Sequence, residues 1–239
     1  MTSPIVHSSK PVALFGGGEA DLADVEAVRA SATHFVAADG GAALAVQAGI
    51  QLDAVIGDFD SVTPEVLAQV PVDRQHPIAE QDSTDFDKAL RHIAAPVVLA
   101  VGFLGGRVDH QLACLSVFAR YPDRPCILLG REECVVLCPP KLTLEMVPGD
   151  VVSLVPLGLV QGTSTGLRWP IDGLEFDLMS RVGTSNEAEG TVTLTMERPA
   201  MVLMVPRGYL PQLTQALEHA PQSARWPARA GRYTNPPQS

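Results

Sequence analysis

The sequence predicts an α/β protein: an N-terminal parallel sheet with helices on both faces, followed by a C-terminal antiparallel β-sandwich. Two observations lead to this prediction. In the first half, short apolar segments alternate with segments whose apolar residues recur at helical spacing, as in strands joined by crossover helices. In the second half, short β-type segments follow one another between proline or glycine turns, which is typical of sandwiches.

The elements of the first half alternate regularly as far as residue 122. Strands are predicted at 11–15, 35–38, 54–56 and 97–101. Helices are predicted after the first strand, at 40–49, 64–70 and 82–94, and again from residue 109. We therefore predict one α/β domain over residues 1–122, with the carboxyl ends of its strands at one edge of the sheet, where such sheets bind ligands.

The second half is predicted to contain strands and no helix. The longest clean alternation of apolar and polar residues is TVTLTM at 191–196. We predict a β-sandwich domain over 123–220 and, because residues 221–239 are rich in proline, arginine and polar residues, a flexible tail. The predicted strands lie at 127–129, 135–137, 142–146, 151–155, 191–196 and 201–205.

Composition excludes several classes of protein. A net charge of −10 argues against binding long nucleic acid, which needs a basic surface. No apolar stretch reaches the roughly 18 residues of a membrane span, and the N-terminus does not resemble a signal peptide, so we expect a cytoplasmic protein. The four cysteines form no CxxC pair and are expected to be core residues.

Acidic residues concentrate in the first half, where nine of the fifteen aspartates fall between Asp39 and Asp109. In GDFDS (57–61), an extended backbone would direct Asp58 and Asp60 to the same side. Their carboxylates would repel each other without a cation, and oxygen ligands favour magnesium. The alternative is a polar turn in which Asp60 caps a helix.

A second acidic motif, QDSTDFDK (81–88), begins a predicted helix. Thr84, Asp85 and Lys88 share one turn at the helix N-terminus, which suits phosphates together with a metal. Helix capping by Asp82 and an outer-face pair between Asp87 and Arg91 would explain much of the same pattern.

Glycine loops complete the set. In GGRVDH (105–110), glycines let backbone amides approach a phosphate, and Arg107 could bind it with two N–H groups. The alternative is a glycine turn in which Asp109 caps the helix. Asp39-Gly40-Gly41 has the same form. Gly16-Gly17-Gly18 fails the dinucleotide fingerprint and indicates a tight turn, with a phosphate contact at the following helix N-terminus as the alternative. Together the loops predict a magnesium–nucleotide site.

Six motifs occur in a fixed order: ADGG (38–41), GDFDS (57–61), QDSTDFDKAL (81–90), GGRVDH (105–110), GLRW (166–169) and TSNE (184–187). This ordered set resembles the thiamine pyrophosphokinase family over about residues 11–206. The resemblance implies a nucleotide domain followed by a β-sandwich that binds substrate and forms a homodimer with shared active sites. It also implies magnesium-dependent transfer of the pyrophosphoryl group of ATP to thiamine.

The resemblance also implies roles for individual residues. Asp58, Asp60 and Asp85 correspond to magnesium ligands and act in catalysis with Arg107. Some relatives have a tryptophan that stacks on thiamine in the strand equivalent to 201–203, and this chain has none there. The nucleotide and phosphate positions are Asp39, Gly40, Thr84, Lys88, Gly105, Gly106, Arg107 and Asp109. The positions near thiamine are Gln81, Ser185 and Asn186.

Two other functions are open from the residues alone. DFDSV (58–62) has the DxDx[TV] form of aspartate-nucleophile phosphatases of the haloacid dehalogenase group. Its place on the third predicted strand and the lack of a later GDxxxD segment argue against that class. A non-catalytic nucleotide-binding sensor would keep the glycine loops, but it would not need three metal carboxylates.

Overall fold

The computed structural model describes residues 3–229, and its first half alternates strands with helices as predicted. The strands are β1 (Val6–His7), β2 (Val12–Phe15), β3 (His34–Ala38), β4 (Ala54–Gly57), β5 (Gln75–Pro77), β6 (Ile93–Ala94) and β7 (Val98–Val101). The helices are α1 (Leu22–Arg29), α2 (Ala42–Gln47), α3 (Pro64–Leu67), α4 (Asp85–Arg91) and α5 (Val108–Arg120).

The second half is mainly β structure with one helix. Its strands are β8 (Cys126–Leu129), β9 (Glu133–Leu137), β10 (Lys141–Glu145), β11 (Val151–Pro156), β12 (Val160–Leu167), β13 (Glu175–Phe176), β14 (Thr184–Met196) and β15 (Met201–Pro206). Its helix is α6 (Leu210–Glu218). Short 3-10 helices lie at Asp39–Gly41, Val72–Arg74, Arg207–Tyr209 and Gln222–Ala224.

The N-terminal sheet is parallel and has the strand order β8-β7-β2-β3-β4-β5. Strands β1 and β6 form a separate parallel pair. Alternate residues of β2 face opposite sides of the sheet. Phe15 packs in one apolar core with residues of α1 and α2, whereas Leu14 packs in the other with residues of α4 and α5. The prediction of helices on both faces is therefore confirmed.

The strands β8–β15 pair antiparallel with one another, and β14 links two layers. The first part of β14 pairs with β11, and its last part pairs with β10 and β12. Apolar side chains of β10 and β14, such as Leu144 and Leu194, share one core with Val152 of β11 and Leu203 of β15. This arrangement is the predicted sandwich.

One sheet connects the two halves. Strand β8 pairs in parallel with β7 and antiparallel with β9, and β9 pairs with β15. Although β8 lies beyond the predicted boundary at residues 122 and 123, it completes the N-terminal parallel sheet. The two-domain division remains a prediction, and the hydrogen-bonded sheet is continuous across it.

The expectation of no helix in the second half is wrong. Helix α6 buries Leu210, Leu213 and Leu217, whose spacing of three and four residues forms one apolar stripe. The helix is only nine residues long, and Pro211 lies in its first turn, where proline is tolerated because the missing N–H has no partner there. Its shortness and its proline conceal the stripe in the sequence.

The predicted tail is tied to the fold at its beginning. The Arg225 guanidinium donates hydrogen bonds to the backbone carbonyls of Pro96, Leu217, Glu218 and Ala220. The indole Nε1 of Trp226 donates to the carbonyl of Cys138 at 2.8 Å. Arg225 and Trp226 thus contact the fold, residues 230–239 lie outside the described residues, and the flexibility of the tail stays a prediction.

The cysteines and the apolar segments are two features that were predicted from composition. All four cysteines are buried and unpaired, as expected for core residues. Burial raises the pKa of the Cys114 thiol to about 12, so the thiol stays protonated at neutral pH. Between residues 3 and 229 no helix has the length and apolar content required to cross a membrane.

The turn after β3 packs directly against the end of β2. A Cβ atom added at Gly41 would lie 2.1 Å from the carbonyl oxygen of Phe15, a backbone atom that cannot move aside without distorting β2. We predict that Gly41→Ala lowers the free energy of unfolding by about 1–3 kcal/mol in urea denaturation.

The matched control is Gly158→Ala, because a Cβ atom at Gly158 would have no atom within 4 Å. Its stability is expected to stay within about 0.5 kcal/mol of the parent chain. Equal stability of the two variants would contradict the close approach of the turn to β2.

Candidate active site

A cleft lies at the carboxyl edge of the parallel sheet, between the loops that follow β2, β3, β4 and β7. Its volume is about 820 Å³. All residues that line it lie between positions 17 and 114, so this chain's own β-sandwich contributes none of the lining described. The candidate residues that line the cleft are Gly40, Asp58, Thr84, Asp85, Lys88, Gly105, Gly106 and Arg107.

Three aspartates from two loops form a compact carboxylate cluster beside the cleft. One carboxylate oxygen each from Asp39, Asp58 and Asp60 lie within 4.8 Å of one another. The group contains the predicted pair Asp58 and Asp60 and adds Asp39, whereas Asp85 approaches from α4. The extended backbone predicted for GDFDS is wrong, because Phe59 between the two aspartates has a φ of 64° and residues 59–61 form a bend. The roles of Asp58, Asp60 and Asp85 as metal ligands stay predictions.

Asp39 holds the loop after β4 in place. Its buried carboxylate accepts hydrogen bonds from the backbone amides of Val62 at 3.0 Å and Ser61 at 3.4 Å. Its backbone has a φ of 44°, in the left-handed region that aspartate tolerates better than most residues. The loop after β3 thereby fixes the position of the next loop along the sheet.

Lys88 joins the helix α4 to this loop. Its Nζ atom lies 2.7 Å from Asp58 Oδ2 and 3.3 Å from Asp85 Oδ1, and its side chain is only 2% exposed. The hydrogen bond from Lys88 lowers the pKa of Asp58. Burial alone would lower the pKa of Lys88, but the hydrogen bond to Asp58 and the charge of Asp85 outweigh burial and raise it. Lys88 is therefore a charged ammonium.

The remaining carboxylates are not fully compensated. Burial, with the negative charge of Asp85 as the next cause, raises the pKa of Asp39 to about 6. Burial also raises the pKa of Asp85, and the charges of Asp58 and Asp60 act in the same direction. A raised carboxylate pKa means that the ionised form is disfavoured. A cation placed among these groups would relieve that cost.

The donor set fits magnesium. The clustered donors are carboxylate oxygens, and the cleft lining includes no histidine close enough to join them and no exposed thiolate. Hard cations such as Mg²⁺ prefer oxygen ligands, whereas softer metals prefer sulfur or imidazole. Asp39, Asp58 and Asp60 are the groups that could hold the ion, with Asp85 next to them.

The glycine loop after β7 supplies the opposite side of the cleft. Gly105 and Gly106 have φ values of 86° and 67°, which glycine adopts without steric cost. Arg107 is the residue before the first turn of α5 and pairs with Asp109 at 2.6 Å, with both side chains largely exposed. Because exposed pairs are weak, Arg107 remains available to an anion. Asp109 lies inside α5 and does not cap it.

The first turn of α4 contains neither a cap by Asp82 nor a pair between Asp87 and Arg91. The helix begins at Asp85, and the residue that caps it is Thr84, whose Oγ1 accepts from the Asp87 amide at 3.2 Å. The alternative explanation, a cap by Asp82, is therefore wrong. The alternative of an outer-face pair between Asp87 and Arg91 is wrong as well, because Arg91 pairs with Glu80 at 2.7 Å.

Asp87 is instead a buried link between helices. Its carboxylate accepts hydrogen bonds from the Tyr121 hydroxyl at 2.8 Å and from the Arg120 guanidinium, both at the end of α5. Its side chain is 2% exposed, because its face of α4 packs against α5. The link sets the position of the helix that carries Asp85 and Lys88.

The residues predicted to lie near thiamine are not part of the cleft lining. Gln81 and Ser185 are exposed, and Asn186 is buried. Asn186 accepts from the backbone amides of Trp169 and Glu187 and donates to the Trp169 carbonyl at 2.7 Å. It therefore shapes the chain around Trp169, and none of the three is among the cleft-lining residues.

Several lining residues were not selected from the sequence. Glu19 follows the glycine turn after β2, and its carboxylate lies beside Gly105. Phe86 and Phe103 also line the cleft, with ring centroids 4.7 Å apart. The position of Glu19 between a glycine turn and a helix was a usable signal, whereas the contact between the two aromatic rings is visible only in the fold.

The fold and this cleft are typical of a phosphate-binding α/β protein. The parallel sheet continues into an antiparallel sandwich, and carboxylate oxygens and glycine loops of the kind that contact phosphates border the cleft. The sequence matches the family models described as "Thiamin pyrophosphokinase, catalytic domain" over residues 25–128 and "Thiamin pyrophosphokinase, vitamin B1 binding domain" over residues 140–201. The chain belongs to the thiamin pyrophosphokinase family.

Individual relatives agree with this placement. The chain is 30% identical to thiamine pyrophosphokinase 1 of Arabidopsis thaliana over 167 residues, or 60% of this chain and 61% of that protein's length. The crystal structure of thiamin pyrophosphokinase from Geobacillus thermodenitrificans has a TM-score of 0.68 and 26% identity, covering 82% of this chain and 96% of that one. The yeast enzyme shares the fold at 14% identity, with a TM-score of 0.67 and coverage of 88% and 89%.

We predict that Asp87→Ala destabilises the protein. Removing one partner of a fully buried ion pair costs about 3–5 kcal/mol, and we expect roughly 2–3 kcal/mol here because Arg120 stays accessible to water. The control is Glu26→Ala, which removes an exposed pair with Arg29 and should change the unfolding free energy by about 0.5 kcal/mol or less. Similar urea midpoints for both variants would show that the α4–α5 link contributes little.

Proposed function

We propose that the chain transfers the pyrophosphoryl group of ATP to the hydroxyl of thiamine, giving thiamine diphosphate and AMP, with Mg²⁺ as cofactor. The observation that carries the proposal is the carboxylate cluster of Asp39, Asp58 and Asp60 beside a cleft that Lys88 and a glycine loop also border. The names of the relatives support it, although the chain matches only 61% of the length of the Arabidopsis protein.

The proposed ligands of magnesium are Asp58, Asp60 and Asp85, and the geometry adds Asp39 to the group that could hold it. ATP carries about four negative charges, so its approach to these carboxylates is unfavourable unless cations compensate them. When bound, Mg²⁺ would neutralise charge on the transferred phosphates. Lys88 and Arg107 are the basic side chains of the cleft lining that would share this role.

The chain's own groups have distinct tasks in the proposed reaction. Gly40, Gly105 and Gly106 would let backbone amides approach the phosphates, and Thr84 and Asp109 lie at the neighbouring helix N-termini. The hydroxyl oxygen of thiamine bonds to the β-phosphorus while the bond from that phosphorus to the oxygen bridging the α- and β-phosphates breaks, and this oxygen leaves on AMP. The hydroxyl proton passes to a carboxylate of the cleft.

The proposed contacts with thiamine depend on the proposed homodimer. The thiazolium of thiamine is cationic and suits an acidic surrounding. Gln81, Ser185 and Asn186 are proposed to lie near it, yet none of them lines the cleft of its own chain. A homodimer in which one chain's aspartate loops face the other chain's residues 184–187 would bring them together. Cytoplasmic localisation remains a prediction from the sequence.

The function is tested by its nucleotide product. Incubation with ATP, Mg²⁺ and thiamine should give AMP and thiamine diphosphate in equal amounts. Formation of ADP would indicate a simple kinase, and free phosphate would indicate the phosphatase reading of DFDSV. Binding of ATP without any product would indicate a nucleotide-binding sensor.

We predict that Asp58→Asn, Asp60→Asn and Asp85→Asn each lower turnover at least about 100-fold while the fold is retained, because the amide keeps the shape but loses the charge that attracts the cation. The control is Asp73→Asn, an exposed aspartate outside the cleft, which should be as active as the parent chain. If two of the three variants kept near-normal rates at saturating Mg²⁺, the metal assignment would be wrong.

We predict that mixing inactive Asp58→Asn with inactive Asn186→Ala restores activity under conditions that exchange subunits, because a shared site regenerates some complete sites. Circular dichroism of Asn186→Ala is the control, since Asn186 also holds the backbone of Trp169. No recovery despite demonstrated exchange would exclude the shared arrangement and leave the nucleotide chemistry untouched.

A further inference from the structure

Lys88 is the cation that compensates the acidic end of the cleft. Within residues 3–229, the ion pairs made by the four aspartates Asp39, Asp58, Asp60 and Asp85 are those of Asp58 and Asp85 with Lys88. Arg107, the arginine of the cleft lining, pairs with Asp109. In the described part of the chain, the ammonium of Lys88 is thus the one positive charge paired with any of these four aspartates.

The position of the ammonium is that of a bridging cation. Lys88 is one turn after Asp85 on α4, and it reaches across to Asp58 in the loop after β4, thirty residues earlier. The side chain is 2% exposed, so water screens these contacts little. The second oxygen of Asp58 accepts from the amide of Asp60 at 3.4 Å, so both oxygens of Asp58 have hydrogen-bond partners within the chain.

We propose that Lys88 is an internal counter-cation that competes with the divalent metal for Asp58 and Asp85. The proposal rests on the proposed function only in taking these aspartates as a magnesium site. In the metal-free protein Lys88 holds α4 against the loop after β4 and limits carboxylate repulsion. When a divalent cation binds these carboxylates, it replaces the ammonium as their partner. Metal affinity in the nucleotide-free chain is therefore reduced by Lys88.

The test is the Mg²⁺ affinity of Lys88→Gln in the absence of nucleotide, measured by titration calorimetry. Glutamine keeps much of the length and the polarity but removes the charge. We expect the Kd for Mg²⁺ to fall about tenfold or more, since no ammonium has to be displaced. In EDTA the variant should have a lower Tm than the parent chain, and Mg²⁺ should raise that Tm by more than it raises the parent's.

Lys10→Gln is the matched control, because Lys10 is an exposed lysine paired with Glu218 away from the cleft. Its Mg²⁺ affinity should equal that of the parent chain. An unchanged or weaker affinity in Lys88→Gln would overturn the proposal. If the variant does not fold in EDTA, the parent chain itself supplies the measurement through acetylation of its three lysines, read by mass spectrometry with and without saturating Mg²⁺.

In that measurement Lys10 and Lys141 are internal references. Labelling of Lys88 should rise relative to both when Mg²⁺ is present, and unchanged labelling would overturn competition. The outcomes separate this proposal from the catalytic one. Thiamine diphosphate formation by the parent chain with no gain of affinity in Lys88→Gln would reject only the counter-cation. A gain of affinity in a chain that forms no product would support the counter-cation and reject the activity.

Discussion

The constraint on which this structure depends is the concentration of like charge at one edge of a sheet. Carboxylates from the loops after β3 and β4 and from α4 meet there, and they repel one another unless each has a partner. Asp39 accepts hydrogen bonds from backbone amides and Asp58 from Lys88, although burial still raises the pKa of Asp39. The same contacts fix the positions of the loops, so the groups that compensate the negative charge also determine the geometry of the loops.

Strand order explains why these particular loops meet. In the parallel sheet β2 lies between β3 and β7, and β4 lies beyond β3, so the loops that follow them end at the same edge. Glycines allow the close approach that this arrangement requires, as at Gly41 against the carbonyl of Phe15. The sandwich joins the same sheet through β8 and β9, yet it contributes no residue to the cleft lining described, which separates the phosphate region from the proposed substrate residues.

The helices have an indirect part in the site. Asp87 secures α4 to the end of α5, and Phe86 packs against Phe103 in the loop after β7. Asp85 and Lys88, which face the cleft, are on the same short helix, so its position decides where both charges lie. Asp85 and Lys88 thus lie on the side of α4 that faces the cleft, whereas Asp87, from the same motif, lies on the side that is held against α5.

The sequence by itself determined the α/β and sandwich architecture and the loops at the strand ends, because hydrophobic periodicity and motif spacing are local properties. It also predicted that Asp58 and Asp60 lie close together, but through an extended backbone, whereas the structure has a left-handed Phe59 between them. Only the tertiary structure decided that Asp39 joins their cluster, that Asp87 is buried and that Lys88 bridges two elements. These contacts join residues 19 to 34 positions apart, and their partners depend on how helices and strands pack. Local pattern predicts where charge accumulates, and packing decides which charge compensates it.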